Sequence, residues 1–201
     1  MALNFVNNNS LSAITTLPAS ISGGGMTLIS EQTASSSSTI DFTSNIDSTY
    51  DSYVFKFIDI HPSADGANFE FQSDTGTNTN YNQTITSTVF RAFNDENDSG
   101  SGLGYRTDRD QAQGTNFQQF QNEAIGNAND ECLSGYLHIF NPSSTTFVKH
   151  FLARISNYGG VGATDQYLAG YFNTTSALTR FKFRIESGNI DSGQILLFGI
   201  N

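Results

Sequence analysis

The chain has 201 residues, enough for one ordinary domain, and is rich in strand-forming side chains: 17 Phe and 8 Tyr with abundant Thr, Ile and Val, but no Trp. Charged residues make up only 14% of it, and a net charge of −10 opposes attraction to nucleic acid phosphates or an anionic membrane, which needs clustered Lys and Arg. The single cysteine, Cys132, excludes an intrachain disulfide framework and reads as a small buried hydrophobe.

Residues 1–25 are small, polar and lightly apolar, and end in Ser22-Gly23-Gly24-Gly25. With no basic leader and no continuous apolar run, neither a signal peptide nor a membrane span is expected there. Leu11, Ile14, Leu17 and Ile21 recur at spacings of three or four and form one apolar stripe. The expectation is an N-terminal attachment arm over 1–25, gripping a partner through those four residues, with the glycines as a hinge. A β-sandwich domain is expected over 26–201.

Beyond the hinge the period changes to two. Met26–Ser30 and Ser38–Phe42 read as short strands, and Tyr53–Ile60 as a long one ended by His61-Pro62, because proline supplies no ladder donor. In that strand Tyr53, Phe55 and Phe57 face one way, and Val54, Lys56, Ile58 and Ile60 the other. Asn68–Gln72 and Thr84–Phe93 follow as strands. Asn94–Gln113 reads as a long acidic, glycine-bearing loop, with its Gly100–Gly104 stretch a flexible segment, and Phe117–Ile125 fits either a strand or a helical turn. Leu133–Phe140, Thr146–Ser156, Gln166–Phe172, Arg180–Glu186 and Gln194–Ile200 complete about ten strands without a helix. Turns are expected at Asn141-Pro142-Ser143, Tyr158-Gly159-Gly160 and Ser187-Gly188-Asn189. The fold class is all-β: a two-sheet antiparallel β-sandwich of jelly-roll or Greek-key type behind a mostly extended arm.

Candidate chemistry is sparse. His61, His138 and His150 have no metal-ligand spacing to one another or to Cys132, so packing or turn hydrogen bonding is their expected role. Asn94, Glu96, Asp98 and Gly100 approach a calcium loop, but Asn replaces the leading Asp and no closing Glu follows, which favours a solvated acidic loop. Asp108, Asp110, Glu123, Asp130 and Glu131 are raw material for hydrolysis, yet no spacing selects a pair. There is no nucleophile elbow and no phosphate-binding loop, so the chain is expected not to be an enzyme and to carry no catalytic, metal or cofactor residues. Tyr81, Tyr105, Tyr158 and Tyr167 read as loop aromatics suited to subunit contacts or to sugar faces. Asp95, Asp98, Tyr105 and Asp108 mark a possible surface-recognition loop.

Several stretches carry a resemblance: NNSLSAI (8–14) running on to Leu17-Pro18, IDSTYDSYVFKFIDIHP (46–62), LHIFNPSSTTFVKH (137–150) and AGYFNTTS (169–176). Together with SGNIDSG (187–193) and LFGI (197–200), these resemble virion structural proteins of tailed phages infecting marine and freshwater bacteria, cyanophages among them. The resemblance implies a location, the virion surface, and no catalytic residues. The function expected from it is a capsid decoration or head-fibre protein, anchored by its arm to the major capsid protein or to a tail protein and assembled as a homo-oligomer, with a trimer favoured. A tail-fibre or baseplate protein touching a host-surface glycan is the alternative. Neither nucleic acid nor membrane is an expected partner.

Overall fold

The computed structural model describes residues 25–121, 123–160 and 162–201, and no helix occurs among them. The arm positions Leu11, Ile14, Leu17 and Ile21 lie outside the described residues. Twelve strands are formed: β1 (Thr27–Thr33), β2 (Ile40–Phe42), β3 (Ser52–Pro62), β4 (Phe69–Thr75), β5 (Ile85–Asp95), β6 (Ser101–Tyr105), β7 (Gln118–Gln119), β8 (Leu133–Phe140), β9 (Lys149–Tyr158), β10 (Gly162–Phe172), β11 (Leu178–Ile185) and β12 (Ile190–Ile200). They make an eight-stranded sheet in the order β1-β12-β3-β8-β9-β10-β5-β6 and a four-stranded sheet in the order β2-β11-β4-β7. Neighbouring strands are antiparallel throughout, and the expected two-sheet sandwich is present. No two small-sheet strands are consecutive in the chain, so the backbone repeatedly crosses from one sheet to the other.

Alternation along the strands supplies the core between the sheets. Phe55 and Phe57 of β3, Phe151 of β9 and Phe172 of β10 project from the large sheet, and Phe69, Phe71, Phe181 and Phe183 from the small one. Phe120 joins them from just beyond β7. These rings meet edge to face, as Phe55 and Phe183 do at 4.9 Å, or stacked, as Phe71 and Phe120 do at 4.7 Å. Such pairs add about 0.5–1.5 kcal/mol each beyond area burial. A single phenylalanine-packed core thus replaces the missing disulfides.

The structure corrects several expectations. Ile60 is fully buried and not outward, because β3 carries a bulge at Asp59, which adopts a left-handed φ of 49° opposite Gly193 at φ 113°. One extra residue shifts the parity, so Ile60 returns to the face of Phe57. The Asn94–Gln113 loop contains a hairpin: β6 pairs with β5 from Asn94↔Ser101 to Phe90↔Tyr105, so Gly100–Gly104 is chiefly strand. Every side chain of β6 is exposed, which removes the apolar alternation that would have marked it. Phe117–Ile125 resolves into the two-residue β7 and irregular chain tied back by an Ala67↔Ile125 bridge. Cys132 is half-buried, and Tyr81 is a buried plug with positive φ.

Candidate functional site

The two outer faces of the sandwich differ in chemistry. Outward positions of β2, β4 and β11 are polar and paired: Lys182 with Asp41 (3.4 Å), and Arg184 Nε with Glu70 (2.5 Å). Loops close over this face. Tyr81 N–H donates to Asp74 (2.9 Å), Lys182 sits over the Tyr81 ring, and Arg184 over that of Phe117. Burial pushes the Tyr81 hydroxyl up to about 12. Burial also raises the Glu70 carboxyl, against the pull of Arg184.

Between those loops and the small sheet lies a cleft of about 510 Å³, lined among others by Asn80, Asn82, Asp110, Asn116, Phe117 and Glu186. It holds carboxylates, amides and guanidinium groups in one concavity, the donor and acceptor mix that polyhydroxyl ligands require.

The eight-stranded sheet turns a contrasting face outward. Register aligns its outward residues in rows across the strands. One row reads Leu28, Phe198, Val54, His138, Leu152, Ala169 and Thr88. The next reads Leu196, Lys56, Tyr136, Arg154, Tyr167, Phe90 and Tyr105. Leu152 is 49% exposed and Tyr136 41% exposed, well above what a covered sheet face allows. Two shallow depressions of about 560 and 440 Å³ run along the face.

Within the second row the groups are stacked on one another. Phe90 and Tyr167 lie parallel at 4.7 Å and 6°, and the Arg154 guanidinium sits 4.9 Å from the Tyr167 ring centre. Arg154 is held by Asp165 through two bonds, Nε to Oδ1 at 2.9 Å and Nη2 to Oδ2 at 2.6 Å. The Tyr167 hydroxyl donates to the same carboxylate at 3.0 Å. Hydrogen bonding from Arg154 lowers the Asp165 carboxyl, and the bond to Asp165 raises the Tyr167 hydroxyl. Phe90 and Tyr167 thus use ring faces on each other, and Tyr167 also on Arg154, within the row.

Asp95, Asp98, Tyr105 and Asp108 do not converge. Asp95 and Asp98 sit at the β5–β6 turn, where Asp95 N–H donates to Gly100 O at 2.8 Å and Ser99 Oγ to Asp95 Oδ2 at 3.1 Å. Tyr105 and Asp108 lie at the opposite end of β6, about 14 Å of strand away. There Tyr105 donates to Asp110 (2.5 Å) and Arg106 to Asp108 (3.2 Å). Glu123 is ion-paired with Arg91, and Glu131 accepts the Ala128 N–H at 2.8 Å. Of the histidines, His138 packs on Phe140 at 4.1 Å, and His61 Nε2 lies 3.1 Å from the Ala128 carbonyl. Among the described residues no three His, Cys, Asp or Glu side chains gather where they could hold a metal.

The residues that define the apolar face, among them Tyr136, Leu152, Phe90 and Phe198, were not singled out from sequence. A signal was present: β8 and β12 carry apolar side chains on both parities, as in Gln194–Ile200, QILLFGI. Strands of that kind belong to sheets covered on both faces. No known family model, curated protein or solved structure matches the chain.

Proposed function

We propose that this protein is a structural component of a tailed-phage virion, a capsid decoration or head-fibre protein whose residues 1–25 anchor it and whose sandwich is displayed on the particle. The setting rests on the sequence resemblance of stretches 46–62 and 137–150. The observation that carries the role is the broad exposed apolar face of the eight-stranded sheet, since exposed patches of that kind mark assembly surfaces. Gold-labelled antibody on intact particles tests this directly, with label expected over the head at copy numbers set by the capsid lattice. Label confined to the tail, or absent from particles, overturns it. Deleting residues 1–22 is expected to leave a folded domain that no longer binds heads.

The polar cleft supports a second reading, a tail-borne protein that touches a host-surface glycan. Purified protein would then compete with phage adsorption and bind a glycan array. A decoration protein does neither.

A further inference from the structure

We infer that the outer face of the eight-stranded sheet is the surface on which a second copy of this chain docks, sheet against sheet across a two-fold axis. This holds whether or not the protein belongs to a virion, because it rests on the face alone. Three observations carry it.

The first is charge. Two chains of net charge −10 repel each other, so they can meet only where that charge is absent. On the outward rows the ionisable side chains of fixed charge are the cations Lys56 and Arg154 against the carboxylates Asp165, Asp59 at the β3 bulge, which accepts from Ser134 Oγ, and Glu31 at the β1 edge, and Asp165 is already neutralised by Arg154. The face is close to neutral while the rest of the molecule is acidic.

Size is the second. Eight strands at about 4.8 Å spacing span about 34 Å, and four outward rows cover about 20 Å along the strands, giving about 700 Å². A stable interface buries about 600–1,000 Å² on each partner, so the face alone falls within that range.

Third, β12 has the sequence of a covered strand. Leu196, Phe198 and Ile200 face outward on β12 as Ile195 and Leu197 face the core. Two twisted sheets stack naturally through such faces, in the same way as the two sheets within one sandwich.

The full chain is expected to elute at twice the 21.8 kDa of one copy when light scattering is measured on a sizing column. Leu152→Asp and Thr88→Asp place a carboxylate on the face and are expected to halve that mass. Thr88 is exposed and polar already, so T88D keeps the fold when L152D does not, as circular dichroism will show. Phe147→Asp, in the loop before β9, is expected to leave the mass unchanged. A monomeric wild-type chain, a trimer, or a mass insensitive to both face substitutions overturns the inference.

Discussion

Two residues act beyond their size. Gly193 stands opposite the Asp59 bulge with φ 113°, a region closed to L side chains, and an added Cβ would lie 2.6 Å from the Asp59 carbonyl oxygen. Backbone cannot retreat there without breaking the β3–β12 ladder. Gly193→Ala is therefore expected to lower stability by about 1–3 kcal/mol in urea unfolding, and an unchanged midpoint would refute the bulge as a strained site. His138 is the other. Burial lowers its imidazole pKa, and its Nε2 has no hydrogen-bond partner. Below the ordinary value of 6.5 the unfolded chain takes up the proton first, so stability falls as pH drops from 6.5 toward the lowered folded value and is retained above it. His138→Gln is expected to flatten that part of the melting-temperature profile. Parallel profiles for the two proteins would show that another group is responsible.

At the scale of elements, legibility followed burial. β3, β4, β9 and β11 were readable because their inward Phe and Ile alternate with other side chains, and the Pro and Gly turns bound them. β6 was not readable, since an edge strand with all five residues in solvent has no pattern to leave. Ile60 was misassigned because a bulge is set by a backbone conformation at Asp59, which no apolar spacing announces. Of the candidate sites, Asp95, Asp98, Tyr105 and Asp108 were close in sequence but separated by the length of a hairpin that was unseen. The apolar face escaped for a related reason: its members come from strands distant in sequence, and only the register joins them.

Lys149, at the start of β9, is fully buried and donates to the carbonyls of Phe147 (2.6 Å) and Thr174 (3.2 Å), tying the loop before β9 to the one after β10. Burial lowers its ammonium pKa. Lys149→Ala removes both hydrogen bonds and opens a cavity, so a loss of about 2–4 kcal/mol is expected by denaturant titration. A variant as stable as the parent would mean that water replaces the ammonium at no loss.

For the whole molecule, the interleaving of the chain between sheets decides how it unfolds. β2, β4, β7 and β11 each lie between large-sheet strands in sequence, so neither sheet can detach without dragging the other's connections through the phenylalanine core. One cooperative transition is expected, with tryptophan-free fluorescence and far-ultraviolet dichroism melting together. Two separated transitions would show independent layers. Charge enters at the same scale. Acidic groups outside the neutral face still repel across a docked pair, over a distance comparable with the Debye length of about 10 Å at 0.1 M salt. Raising salt from low to moderate concentration is therefore expected to strengthen self-association, the opposite of an interface built on surface ion pairs. Sedimentation measured across a salt series distinguishes them. Weaker association at higher salt would place the contact on charged residues such as Lys182 and Arg184 of the small sheet, and not on the two rows that hold Tyr136 and Leu152.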